Sequence, residues 1–118
     1  MRNRMLTAAF LVMTALAGAL YADARSDAKE QVAFGISVAQ RGLWKEAIYR
    51  WERATRIDPD YAAAFNNLAV AYEHEGLLEK AGEAYERALK LEPNNPMVRQ
   101  NFELFKEIHD RTSQPRTP

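Results

Sequence analysis

Between Ala28 and Phe105 the apolar residues fall into short runs at three- and four-residue spacing, each run stopped by a breaker and then restarted. Such spacing marks one face of a helix. Phe34 and Val38 carry the first run, and Ala47, Trp51 and Ala54 the second. Phe65, Leu68 and Tyr72 carry the third, Ala81, Tyr85 and Ala88 the fourth, and Val98, Phe102 and Phe105 the fifth. The pattern predicts five helices, over about 27–41, 43–57, 61–75, 77–91 and from 96 onward. Asp27 with Glu30 reads as a capping box opening the first. Gly42 and Gly76 read as helix ends. Pro59 and Pro93 stop the second and fourth helices, because proline disfavours helical geometry in the residue before it. Asp60 and Asn95 are the expected caps of the helices that follow, with Pro96 in a first turn that tolerates it.

The second half of this pattern repeats the first at an offset of 34 residues. Trp51-Glu52-Arg53-Ala54 lies over Tyr85-Glu86-Arg87-Ala88, Gly42-Leu43 over Gly76-Leu77, Ala47 over Ala81, Phe34 over Leu68 and Pro59 over Pro93. A period of this length points to stacked helix–turn–helix units, since one such unit cannot bury its apolar face alone. Ala47 and Ala81 are expected where two helices approach closely, a place for nothing larger than methyl. Trp51 and Tyr85 are expected to fill the space between pairs. The chain therefore reads as all-α, with repeats over 28–61 and 62–95, a capping helix over 96–111 and a disordered tail over 112–118.

The first 24 residues have a different character. Arg2 and Arg4 precede an apolar run from Leu6 to Leu20, followed by Ala22-Asp23-Ala24. This is the form of an export signal cleaved after Ala24. The alternative is an uncleaved anchor, although the run falls short of the roughly 20 residues that span a bilayer. Either way the domain over 25–111 is expected outside the cytoplasm, in a periplasm for a bacterial source. The membrane is expected as a partner only through this segment, if it is uncleaved.

Composition narrows the function. The 118 residues hold no cysteine, which removes disulfides, thiolate metal sites and Cys-linked anchors. Lys and Arg balance Asp and Glu, against the basic excess of nucleic-acid binders. The charge is unevenly spread, however: Arg41, Lys45, Arg50, Arg53 and Arg56 outnumber Glu46 and Glu52, whereas Glu73, Glu75, Glu79, Glu83 and Glu86 face Lys80 alone. One end is basic and the other acidic, a disposition suited to head-to-tail association or a charged partner.

These residues resemble the tetratricopeptide repeat family. Phe34-Gly35, Val38, Ala47, Trp51, Ala54 and Pro59 match its signature once, and Phe65, Leu68-Ala69, Tyr72, Ala81, Tyr85, Ala88 and Pro93 match it again. Gln31 departs from it, standing where the family prefers an aromatic. The resemblance implies a right-handed α-solenoid that holds a protein or peptide in the concave surface lined by the first helix of each pair. On that face it places an apolar strip of Val32, Ile36, Val70 and Met97, edged by Asn66, Asn67, Glu73 and His74. Asn67 and Asn101, one period apart, are candidates for a two-rung asparagine ladder contacting a partner's backbone. The basic clamp by which some members hold a terminal carboxylate is missing.

Catalytic chemistry is not legible. His74 sits between Glu73 and Glu75, but helical neighbours one apart point in different directions, so no metal is expected. Ser26, Ser37 and Ser113 have no His or Cys at a recognisable spacing. No enzyme activity and no cofactor are expected. Two repeats and a cap fall short of the three usual for stable stacking. The alternative to a peptide-binding module is therefore a subunit docked permanently into a larger assembly, or a homo-oligomer.

Overall fold

A computed structural model describes the backbone of residues 2–113 and the side chains of residues 16–113. It contains five helices and, among the described residues, no strand: α1 (Arg2–Gln40), α2 (Trp44–Ile57), α3 (Ala62–His74), α4 (Leu78–Leu91) and α5 (Pro96–Ser113). α1 packs on α2 and α3 on α4, while α3 leans on α2 and α5 on α4. The core runs through all of them, from Ala28, Val32 and Val38 through Ala47, Trp51, Ala54, Leu68 and Tyr72 to Ala81, Tyr85 and Phe105. Ala88 is fully buried beside it.

The hairpin turns are set by glycine. Gly42 and Gly76 adopt φ of 78° and 75°, a left-handed geometry that costs a side chain dearly. At the first turn the Leu43 amide donates to Val38 O and the Gly42 amide to Ala39 O. At the second, Leu77 donates to Tyr72 O and Gly76 to Glu73 O. This paired closure satisfies carbonyls at the end of each first helix. At α5, Asn95 caps as expected, its Oδ1 accepting from the amides of Met97 at 3.0 Å and Val98 at 3.3 Å.

Three local expectations are corrected. No capping box forms at Asp27, which lies inside α1. The alanine-rich stretch before it has high helix propensity and no proline, so the helix continues upstream without needing a cap there. Asp60 does not cap α3 either; Tyr61 occupies that position with no side-chain cap. The turn is organised instead by Asp58, whose Oδ1 accepts from the Asp60 amide at 3.1 Å. Thr112 and Ser113, expected in a disordered tail, are helical, with both hydroxyls donating to His109 O. Residues 114–118 lie outside the described residues.

The leader or anchor expected over 1–24 falls mostly on side chains outside the described residues. Its described end, including Leu16, Leu20 and Tyr21, is exposed. Among the described residues no helix is long and apolar enough to cross a membrane. Packing begins one turn later. Arg25 pairs with Asp58, donates to Asp60 O at 3.3 Å and lies 4.8 Å from the Tyr61 ring centroid, which fixes α1 to the α2–α3 turn. Ala28 follows, fully buried.

Not every residue of the repeat signature is in the core. Pro59 and Pro93 are exposed and act only as helix stops. Phe34 is 46% exposed, whereas Leu68, its counterpart one period on, is 4% exposed. Leu68 is covered because α2 packs on α3; among the described residues no helix lies in that relation to α1. The Arg50 guanidinium covers part of Phe34 instead, 4.2 Å from the ring centroid, and Glu46 holds Arg50 at 3.0 Å.

Candidate functional site: the concave face

The first helix of each unit, α1 or α3, and α5 after them turn one side toward a shared face. Ile36, Val70 and Leu104 stand on it at successive 34-residue intervals, 42%, 37% and 50% exposed. These three large apolar residues make a strip of exposed positions, one on each of three helices. Met97 and Ile108 widen it on α5, both exposed. Leu104 and Ile108 were not singled out from sequence, although the offset from Ile36 and Val70 marks Leu104 directly.

Between the first and second units the strip deepens into a hollow of about 320 Å³. Ile36, Ala39 and Gln40 of α1, Trp44 and Trp51 of α2, and Asn67 and Val70 of α3 line it. Trp44 is held at the rim by His74, whose ring stacks on the indole at 4.2 Å between centroids and 22° between planes. His74 Nδ1 also lies 3.7 Å from Glu75 Oε1. The pair joins the end of α3 to the start of α2, so His74 supports the wall of the hollow.

Two residues expected on this face are inside the domain. Val32 is buried and its carbonyl accepts the Trp51 indole N–H at 3.1 Å. A single residue's rotation along the helix separates it from Ala33, which is exposed. Asn66 is buried too, and its Oδ1 accepts from Asn101 Nδ2 at 3.2 Å. One amide N–H of Asn101 thus ties α5 to α3. Asn67 is half-buried and lines the hollow.

Glutamates behind the face are also engaged. Tyr85 donates its hydroxyl to Glu73 Oε2 at 2.6 Å, and Tyr72 donates to Glu52 Oε1 at 2.7 Å. Burial first, and then the hydrogen bond to a carboxylate, hold both phenols well above the usual tyrosine range. The first bond lies within a unit; the second links the two units. With Glu73 bound to Tyr85 and His74 stacked on Trp44, these neighbours serve the wall rather than a common ligand.

A cleft of similar volume lies on the opposite, convex side between α2 and α4, floored by Phe65, Leu68 and Tyr72. Arg56, Lys80 and Arg87 share its rim with Glu52 and Glu83. Its lining mixes both signs of charge, whereas the concave hollow is lined mostly by apolar residues with Gln40 and Asn67 as its polar members.

Comparison with known proteins gives a consistent picture. A family model described as "TPR repeat" matches residues 38–76, and one described as "Tetratricopeptide repeat" matches residues 62–95. The chloroplastic tetratricopeptide repeat domain-containing protein PYG7 of Arabidopsis thaliana is 33% identical over 75 residues, covering 64% of this chain and 25% of that protein. The Photosystem I assembly protein Ycf3 of Synechococcus sp. (strain CC9605) is 30% identical over 83 residues, covering 68% of this chain and 48% of that protein. The chain thus spans about half the length, or less, of these relatives. Among solved structures, the first TPR of Spaghetti (RPAP3) bound to HSP90 peptide SRMEEVD aligns with a TM-score of 0.46 at 18% identity, covering 72% of this chain and 94% of that one. With family models of this repeat matched over the overlapping spans 38–76 and 62–95, the chain belongs to the tetratricopeptide repeat family, whose repeats indicate a protein–protein interaction module.

Proposed function

We propose that this protein is an exported, non-enzymatic adaptor that holds a segment of a partner protein against its concave face. One observation carries the reading: Ile36, Val70 and Leu104 leave apolar surface uncovered at every repeat of the face. An exposed apolar strip of this extent marks an interaction surface in a water-soluble domain. Asn67 supplies the amide that meets a partner's backbone, and Trp44 a flat apolar wall. Export is supported by Arg2, Arg4, the apolar run to Leu20 and the small residues Ala22 and Ala24. The domain then works outside the cytoplasm, released by cleavage after Ala24 or held by the uncleaved segment.

Replacing Val70 with Asp tests the reading, because a charge at the centre of the strip must be desolvated when a partner binds. In crosslinking pull-downs from the native envelope, Val70→Asp should lose the partners captured by the wild type while its melting profile stays cooperative. Unchanged capture would remove the concave face from the function.

A second reading, a subunit built permanently into a larger envelope assembly, is favoured by the outer side of the first unit. There Phe34 and Tyr49 are both about half exposed where Leu68 of the second unit is covered. A purified full-length chain that is a folded monomer by sizing chromatography would discard this alternative.

A further inference from the structure

We infer that the Ala24–Arg25 bond is a processing site controlled by the folding of the first unit. While the leader is attached, α1 runs unbroken through the bond; once the bond is cut, α1 starts at Asp27. The inference rests on the export reading above and adds how the fold governs release and how the released domain finishes its new end.

The cleavage point read from sequence coincides with the boundary of packing. Ahead of the bond, Leu16, Leu20 and Tyr21 stand in solvent. Directly after it, Arg25 is clamped by the Asp58 carboxylate, the Asp60 carbonyl and the Tyr61 ring, and Ala28 is fully buried. Residues 22–26 are helical throughout. A protease that binds its substrate as an extended segment cannot take them in that form. A helix rises about 1.5 Å per residue and a strand about 3.3 Å, so the chain must unwind before it fits. Ala22 and Asp23 are exposed. The bond is therefore shielded by its conformation and by the Arg25 clamp, not by cover.

A second start for α1 is written two residues beyond the bond. Asp27 and Glu30 have the spacing of a capping box, yet both lie inside the continuous helix. They are exposed and, among the described residues, neither forms an ion pair. Asp27 also stands four residues from Asp23, a like-charge spacing that weakens a helix. Cutting reverses this balance. Hydrolysis consumes one water as the bond between the Ala24 carbonyl carbon and the Arg25 nitrogen breaks. The water oxygen joins Ala24 as a carboxylate, and both its protons pass to Arg25 as an α-ammonium; Asp23 departs with the leader. A helix starting at Arg25 would set that ammonium against the positive end of its own dipole. A helix capped by Asp27 has a side-chain acceptor there and Glu30 in its first turn. Asp27 is also the last residue that can cap α1 without unpacking Ala28.

The experiment uses the full chain in mild detergent with a bacterial leader peptidase, and a control peptide of residues 1–30, which has no α2 to pack on. The peptide should be cut at Ala24–Arg25. The folded wild type should be cut about tenfold more slowly or less, because the rate follows the population of the opened form. Asp58→Asn keeps an acceptor for the Asp60 amide but removes the charge facing Arg25. Checked for cooperative melting, it should be cut several-fold faster than wild type. Asp27→Ala, at an exposed position, should be cut about fivefold more slowly, since the opened form loses its cap. The peptide carrying Asp27→Ala should be cut at an unchanged rate. The same substitution should leave the melting temperature of the unprocessed chain unchanged and lower that of the processed product by about 4–8 °C. Wild type cut as fast as the peptide, or Asp58→Asn cut no faster than wild type, overturns the control by folding. Equal melting shifts in the two forms of Asp27→Ala, or none in the processed form, overturn the second start. A peptide left whole at Ala24–Arg25 removes the cleavage reading and the inference with it, while capture on the concave face stands or falls separately by Val70→Asp.

Discussion

A methyl group placed on Gly35 would sit 2.3 Å from the indole nitrogen of Trp51. The ring lies directly on the α1 backbone, and its N–H reaches back one turn to Val32 O. This contact sets how closely α1 and α2 approach, and with it the depth of the hollow that Trp51 lines. Gly35→Ala should therefore cost about 1–3 kcal/mol through overpacking. Trp51→Ala should cost roughly 3–5 kcal/mol through loss of the ring. Urea unfolding measures both; a Gly35→Ala variant as stable as wild type would mean the ring is not seated there.

Gln31 is a site for gain. Its Oε1 is buried with no hydrogen-bond partner among the described residues, while the second unit has Phe65 one period later. Gln31→Leu removes an unsatisfied acceptor at similar volume and should stabilise the domain by about 1 kcal/mol. Calorimetry should register a rise of about 4–8 °C in the melting temperature. A fall would show that the amide has found a partner in solution.

The asparagines should separate by role. Asn101→Ala leaves the buried Asn66 carbonyl unanswered and should cost about 1–2 kcal/mol. A double-mutant cycle with Asn66→Ala should give a coupling well above zero, since the two amides share one hydrogen bond. Asn67→Ala should leave the melting temperature nearly unchanged and weaken partner capture. A large loss of stability in Asn67→Ala would make it a structural residue.

The two buried phenols predict the response to alkali. Tyr72 and Tyr85 have pKa values raised in the folded state by burial and then by hydrogen bonds to Glu52 and Glu73. The native chain therefore keeps protons that the unfolded chain releases above about pH 10, so stability is present below that pH and falls as pH rises through it. Melting temperature should decline from about pH 10 upward, and the decline should be shallower in Tyr72→Phe and Tyr85→Phe. An identical slope in both variants would place the cause elsewhere.

Much of the architecture was legible because it depends on local chemistry repeated at a fixed interval. Gly42 and Gly76 end helices wherever the left-handed turn is needed, and Ala47, Ala54, Ala81 and Ala88 mark close helix contacts on any such hairpin. Cap geometry was less legible at Asp27 and Asp60, since helix continuity upstream and the Asp58 turn each outweighed a good capping residue. The site was only half legible. Ile36, Val70 and Met97 are exposed, but Val32 and Asn66 are buried, and Leu104 recurs at the same offset without standing out in the repeat signature.

The sequence by itself determined the period, the helices, their glycine and proline ends and the aromatic anchors, because each follows from residue type and spacing. Only the tertiary structure decided which equivalent positions are covered. Phe34 and Leu68 occupy the same place in their units, yet α2 shields one and no described helix shields the other. It also decided that Asn101 bonds to Asn66 and leaves Asn67 to face the hollow. The reason is physical: periodicity fixes a residue's direction on its own helix to within a fraction of a turn, whereas burial depends on what the neighbouring helix brings opposite it.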